Sequence, residues 1–507
     1  MGRHRSGDRA RRRSPFAIAF LLVLAAFPPV ARAQTPTAPA PVELRVAEFN
    51  IEYGGTHVDF DKVVAAIRKS GADVVGVEEA QTHVPRLARA LGWPYFSVRM
   101  QVVSRLPLID PPGGNSIYIF VQIAPGQVVA MENVHLHSNP YGPYRVRAGE
   151  TRKQVVERER RLRLPAVRPS LRKAKALIEQ GIPVFLTGDF NAPSWRDWTP
   201  EMVGVRPQIL YPVRWPVSLA VERAGFVDSY RDVHPDPRRD PGLTWWAARP
   251  ELPGWDPGKN APEDRIDLVY AAGATTTESL IVGERGHEGV DIGVKPWPSD
   301  HRMTVSTFTV TPGVPGDLVA VENRLADVGE DVEVTFHVTT PGSERVVIVP
   351  AGGDPATDGL DEQPTAGVAD GTLTFATAGL AAGDYEAVLV DAGGTELSRI
   401  PFWLKEPGTG PEVSTGKARY AVGEPIDVTW RYAPGQRWDW IGIYRRDADP
   451  HVAWYLLWVY TKATIAGSAV LDASANGRFP LKAGEYSVYL LADDGYKLLA
   501  GSPITIR

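Results

Sequence analysis

The apolar pattern divides this chain before any motif does. From residue 42 to about 310, continuous or alternating apolar runs interchange with runs at helical spacing, which predicts mixed α/β structure. Residues 44–49 read as a strand, and 60–69 carry apolar residues at helical spacing. Residues 73–77 and 182–186 read as short buried strands, and 150–180 as one long helical stretch. Residues 116–123 and 128–136 read as antiparallel neighbours around the Pro125-Gly126 turn, with further strands at 266–270 and 303–310. Past Val310 the helical spacing vanishes, alternation takes period two, and Gly, Pro, Thr and Val rise.

Two pieces of that second half repeat. Gly329-Glu330-Asp331-Val332-Glu333-Val334-Thr335-Phe336 returns as Gly423-Glu424-Pro425-Ile426-Asp427-Val428-Thr429-Trp430, and Ala382-Gly383-Asp384-Tyr385 returns as Ala483-Gly484-Glu485-Tyr486. Tandem β-sandwiches, spanning 317–405 and 411–507, account for this best. Pro/Gly-rich linkers lie at their entrances.

The other end of the chain reads as an address. An arginine-rich stretch, an apolar run over 16–30 and Ala31-Arg32-Ala33 predict a cleavable export leader over 1–33, followed by a Pro/Ala tether over 34–41. The apolar run is too short to span a bilayer comfortably, although an uncleaved anchor is the alternative. Either the general secretory or the twin-arginine route fits. The expected location is secreted, extracellular or periplasmic, with no stable membrane insertion after cleavage.

Charge and composition narrow the chemistry. The net charge of −5 over 507 residues hides an asymmetry: residues 1–33 hold seven Arg against one Asp, and 311–507 hold 15 basic against 27 acidic residues. A protein coating nucleic acid by bulk charge is excluded. With no cysteine, thiolate zinc sites, iron–sulfur clusters and a Cys nucleophile are excluded too, so any metal must be held by oxygen and imidazole.

Within 42–310, Asn, Asp, Glu and His concentrate at the ends of apolar strands: Glu48-Phe49-Asn50, Val77-Glu78-Glu79, Asn133-Val134-His135-Leu136, Gly188-Asp189-Phe190-Asn191, and Arg265-Ile266-Asp267 with Ser299-Asp300-His301. Singly, each has a plain structural account, since Asp and Asn make turns and a helix start favours Glu. Together, so many acids and imidazoles at strand ends are costly to bury without a cation or shared protons.

The order and wording of these segments resemble the endonuclease/exonuclease/phosphatase superfamily over about 42–310. The resemblance implies an α/β four-layer sandwich, two packed β-sheets flanked by helices, here followed by two all-β sandwich domains. It implies metal-assisted hydrolysis of a phosphate ester by in-line attack of water. Residue by residue, Glu79 resembles the principal Mg²⁺ ligand (Mn²⁺ or Ca²⁺ being alternatives), with Asn50 and Asp300 beside it. His301 resembles the general base and Asp267 its orienting partner. Asp189 would position water or serve the leaving oxygen, while Asn191 and His135 would donate to phosphate oxygens. One departure leaves two carboxylates competing for the metal: Glu78 stands where the family often has Gln.

Substrate class is less constrained. Residues 145–175 hold twelve Lys or Arg against three Glu, either a phosphate-backbone track or a solvated helix face. Arg145 and Arg147, after the loop that follows His135, are the better candidates for substrate contact, with His137 as a further one. Trp245 and Trp246 read as packing under the site or as stacking on a base. The expected activity is that of a nuclease or phosphodiesterase. A phosphomonoesterase acting on inositol phosphates or nucleotides, or a sphingomyelinase-type phospholipase, is the alternative, and a catalytically inactive binding or adhesive protein is the alternative of another class. Partners are then a phosphate ester, nucleic acid among them, and an unidentified surface ligand for the C-terminal modules. The second of these distantly resembles SKICH-type sandwiches around Arg437-Trp438-Asp439-Trp440.

Overall fold

The computed structural model describes residues 39–114, 116–250 and 262–507, together with Gly2. The leader over 1–33 and most of the tether therefore lie outside the described residues. Among those described, no helix is long and apolar enough to cross a membrane.

Among the described residues, thirteen strands and six α-helices build the region that carries the motifs. In chain order they are β1 (Val42–Asn50), α1 (Phe60–Ser70), β2 (Val74–Glu78), α2 (Val84–Leu91), β3 (Tyr95–Ser97), β4 (Val102–Ser104), β5 (Leu108–Ile109), β6 (Ile119–Ala124), β7 (Gln127–His135), α3 (Gly142–Arg147), α4 (Arg152–Glu179), β8 (Val184–Asp189), α5 (Pro216–Arg223), β9 (Val227–Asp228), α6 (Ser229–Val233), β10 (Asp267–Ala272), β11 (Ala274–Glu284), β12 (Ile292–Val294) and β13 (Met303–Val310). The strands form two sheets, ordered β12-β11-β13-β1-β2-β4-β3 and β5-β6-β7-β8-β10-β9. Parallel pairing of β1 with β2 and of β7 with β8 brings four motif-bearing strand ends to the same edge.

Strand alternation explains why the sheets pack in layers. Along β1, Ala47 and Phe49 join a core with α1 and α2, whereas Leu44 and Val46 point to the opposite sheet. Along β7, Val128, Ala130 and Val134 pack with Val167, Ala174 and Leu177 of α4, whereas Val129 and Met131 face inward. The result is helices, sheet, sheet, helices. Helix α4 starts on a capping box between Thr151 and Gln154 and runs through Pro165 and Pro169 without interruption.

Two glycines let the backbone close up beneath the site, one between the sheets and one between neighbouring strands. A Cβ on Gly76 would sit 2.3 Å from Asn133 Oδ1 and 2.6 Å from Thr187 Oγ1 of the facing sheet. Gly188 has φ +140°, and a Cβ there would lie 1.9 Å from the Val134 carbonyl oxygen. Neither position has room for a side chain.

Beyond β13 the structure is all β. A three-stranded sheet (Leu318–Val321, Val332–His337, Asp370–Phe375) accompanies a five-stranded one, and a second three-stranded sheet (Glu412–Thr415, Ile426–Arg431, Gly467–Leu471) accompanies a six-stranded one. The repeated sequences occupy equivalent places: each repeated tyrosine donates its hydroxyl to the carbonyl four residues earlier, Tyr385 to Ala381 at 2.8 Å and Tyr486 to Lys482 at 2.7 Å.

Candidate active site

At one end of the inter-sheet layer the inward-facing positions turn polar. Asp267 and His301 form its centre: His301 Nδ1 lies 2.9 and 3.0 Å from the two carboxylate oxygens of Asp267. Both residues are buried. Thr244 Oγ1 accepts the Asp267 N–H at 3.1 Å, and Ser299 Oγ accepts the His301 N–H at 3.0 Å while donating to the Asn50 carbonyl at 2.7 Å. Nε2, the nitrogen with a lone pair when the neutral ring directs Nδ1–H to Asp267, faces Asp189 Oδ2 at 3.8 Å and Asp300 Oδ1 at 3.9 Å. Burial lowers the His301 pKa, but the charges of Asp267, Asp300 and Asp189 outweigh it and hold the imidazole well above its usual value.

Asp189 is densely bonded. It accepts from Asn191 N at 2.8 Å, Asn191 Nδ2 at 3.0 Å and Asn50 Nδ2 at 3.3 Å, and lies 3.5 Å from His135 Nε2. Burial alone would raise its pKa; His301, His135 and the backbone N–H together bring it below the ordinary value. His135 is the reciprocal case. Desolvation lowers it, yet Asp189, followed by Glu79 and Asp494, lifts it to about 9, so it stands ready as a cationic donor.

Of the two competing glutamates, Glu79 is the one joined to the cluster. Its oxygens accept from Asn50 Nδ2 and the Tyr53 N–H, both at 3.3 Å. Glu79 has φ +52°, which turns it away from the strand alternation that buries Glu78 between the sheets. Among the described residues neither carboxyl oxygen of Glu78 meets a hydrogen-bond partner, and burial raises its pKa to about 8. Asn50 directs its amide hydrogens to Glu79 and Asp189, and its oxygen accepts the Glu52 N–H at 3.1 Å, the one hydrogen bond to that oxygen among the described residues.

Other expected site residues lie differently. Both amide hydrogens of Asn191 are engaged, by Asp189 and by the Leu136 carbonyl at 2.9 Å. In this arrangement it positions Asp189 and has none left for a phosphate oxygen. Arg145 Nε is paired with Glu150 at 2.9 Å, and Arg147 is exposed at the end of α3. The His137 side chain is exposed and not drawn into the cluster. Its carbonyl, with those of Ser138 and Pro140, accepts from the fully buried Arg163. Trp245 is buried beneath the site, its indole N–H donating to Asp300 Oδ2 at 3.3 Å, so packing describes it better than stacking on a base.

Sequence reasoning missed Glu52 and Arg249. Glu52 takes two bonds from the Arg249 guanidinium, at 2.7 and 2.8 Å, and one from the Asp300 N–H at 3.1 Å. This holds Asp300 in place. Glu52 follows Asn50 by two positions and was legible as another strand-end acid; its partner, 197 residues away, was not.

The donor set suits a hard divalent cation. Every candidate is a carboxylate, amide or imidazole, and one atom each from Asp189, Asp267 and His301 lie within 4.8 Å of one another. Burial first, then the charges of Glu52 and Glu79, push the Asp300 carboxyl up to about 7 against the pull of His301. Acids crowded until their pKa values rise, with Arg249 spent on Glu52, are what a bound cation relieves.

A model of the endonuclease/exonuclease/phosphatase family matches residues 47–301, half of the chain, and spans every one of these motifs. The chain belongs to the endonuclease/exonuclease/phosphatase family. Its members hydrolyse phosphate esters, typically with a divalent metal. An uncharacterized protein of Caenorhabditis elegans is 25% identical over 293 residues, 52% of this chain and 91% of its own. The crystal structure of an endonuclease/exonuclease/phosphatase from Beutenbergia cavernae is 18% identical, covering 71% of this chain and 100% of its own, with a TM-score of 0.32. That of a family protein from Bacteroides thetaiotaomicron is 13% identical, covering 54% and 97%, also at 0.32.

Proposed function

We propose that the protein is a metal-assisted phosphate-ester hydrolase, acting first as a phosphodiesterase. The observation that carries this is the buried His301–Asp267 pair, its Nε2 facing Asp189 and Asp300. Glu79, Asp300 and the side-chain oxygen of Asn50 are the groups to hold the cation, Mg²⁺ by preference, which supplies a Lewis acid for the phosphate oxygens. His301 Nε2 takes a proton from the attacking water, and Asp267 stabilises the imidazolium that results. The water oxygen bonds to phosphorus, the ester P–O bond breaks, the leaving oxygen takes a proton from solvent, and the His301 imidazolium returns its proton to solvent. Asp189, fixed by Asn191 and Asn50, orients the water or serves the leaving oxygen. Cationic His135 donates to the non-bridging oxygens as their charge grows.

The nucleic-acid version of this reading leans on Arg145, Arg147 and the basic helix. A phosphomonoesterase is the second reading, favoured by Arg145 being paired with Glu150 rather than free for a phosphate backbone. Export of the mature chain belongs to the same proposal and is checked by N-terminal sequencing of the secreted protein. A substrate panel of nucleic acids, diesters and monoesters, run with Mg²⁺ and with EDTA, tests the reaction. Full activity in EDTA would remove the metal from it.

A further inference from the structure

The last β-sandwich reaches the site. Three of its loops, 432–439, 460–463 and 492–496, lie against residues 97–101 and Ser116 of the catalytic region. Arg437 N–H donates to the Val98 carbonyl at 3.3 Å, and its guanidinium lies 3.8 Å from Met100 Sδ. Arg99 donates to the Ala463 carbonyl, and Gln101 Nε2 to both carboxylate oxygens of Asp493 at 2.9 Å. Gln101 is buried, and its carbonyl accepts the N–H of Val77, in the strand that leads to Glu79. The contact is thus wired to the metal-site strand.

One buried residue holds the three loops together. Asp439 accepts the N–H groups of Gln436 and Asp493, each at 3.0 Å, and its carbonyl accepts from Thr461 N and Oγ1. The side chain presented by this staple is Trp438. Its ring lies 6.4 Å from that of His135, at 85°, and 5.2 Å from Tyr460, whose hydroxyl donates to Asp494 at 2.8 Å. Trp438 and Tyr460 are only partly buried, so aromatic surface stays open beside the proposed phosphate donor. Asp439, Asp493 and Asp494 outnumber Arg437 and Lys462 in these three loops, so the wall offers a polyanion little attraction.

We infer that the second sandwich completes the active site, and that Trp438 and Tyr460 receive a ring of the ester's organic group. The substrate is then a small phosphate ester, mono- or diester, with an aromatic or nucleoside-type ring and few phosphates, rather than an internal bond of a duplex. This rests on the phosphoesterase reading and adds its specificity.

The test compares phenyl with ethyl phosphate esters, as methyl diesters and as monoesters, on the full chain with Mg²⁺, for the wild type, Trp438→Ala and Trp438→Phe. Stacking on a protein aromatic side chain sets the scale: the phenyl-to-ethyl ratio of kcat/KM should fall about tenfold in Trp438→Ala and recover in Trp438→Phe. Calorimetric binding of phenylphosphonate against ethylphosphonate should show the same loss without turnover. Should Trp438→Ala fail to fold, Tyr460→Leu probes the same wall and should lower the ratio severalfold. An unchanged ratio in folded variants that still hydrolyse the ethyl esters overturns this inference alone, as does wild-type cleavage of closed circular duplex DNA faster than of the phenyl esters. A wild type that hydrolyses no ester with Mg²⁺, Mn²⁺ or Ca²⁺ overturns the inference and the phosphoesterase reading together.

Discussion

The layer between the two sheets is made by the same strands at both of its ends, and the ends are chemical opposites. At one, Val46, Val74, Met131, Phe185, Val269 and Phe308 pack into a dry core. One or two steps of the two-residue period along the same strands, these positions become Glu48 and Asn50, Glu78, Asn133 and His135, Thr187 and Asp189, Asp267, and Thr304. The apolar end stabilises the fold. The polar end opposes it: Glu48 is buried with one carboxyl oxygen unbonded, and burial and neighbouring acids raise its pKa well above the usual value. A cluster that costs stability persists because the packed floor beneath it is rigid.

The sharpest way to break this contrast is to remove chemistry without touching the floor. His301→Ala should lower kcat by about 10²–10⁴-fold, and Glu79→Gln should bring activity to background, both with far-UV circular dichroism unchanged. Asp267→Asn should lose less and displace the acid limb of the pH–rate profile. A His301→Ala enzyme within a few-fold of wild type would sink the assignment of the base.

The converse change acts on the floor. Phe185→Ala should cost about 3–5 kcal/mol in urea unfolding, while the fraction that remains folded keeps its turnover within a few-fold. Loss of turnover at retained stability would mean that the two ends are not separable.

A third experiment reads the opposition directly as a dependence on pH. Glu78 has a folded pKa of about 8 against 4.5 for the free group. The native state therefore binds more protons than the unfolded chain between those values, and stability present at pH 4.5 is lost as pH rises toward 8. The slope from this group is up to about 1.4 kcal/mol per pH unit. Metal-free protein should melt lower at pH 8 than at pH 5, and Glu78→Gln should flatten the difference. A melting temperature independent of pH in that window would show the site to be relaxed.

The smallest effect is expected at the rim. The Arg145→Ala, Arg147→Ala double variant should raise KM a few-fold for polyanionic substrates, leave kcat nearly unchanged and make the salt dependence shallower. Identical salt slopes on DNA for variant and wild type would remove both arginines from substrate binding.

Apolar periodicity and the strand-end motifs determined a good deal unaided. They located β1, α1, β2, the β6–β7 hairpin, α4, β8, β10 and β13 to within a few residues, marked the repeated modules, and named His301, Asp267, Asp189, His135, Glu79, Asn50 and Asp300, which the structure gathers at one end. These signals are local: a two-residue period fixes which face a side chain takes, and a polar residue after an apolar strand falls at a sheet rim. Tertiary structure decided what depends on partners far along the chain. A left-handed backbone at Glu79 separates it from buried Glu78, both amide hydrogens of Asn191 are claimed by neighbours, and Arg145 is taken by Glu150. Arg249 reaches Glu52 across 197 positions, and Trp438 stands beside His135 although some three hundred residues separate them. No local pattern encodes such pairings, because they arise only when whole sheets and loops have packed.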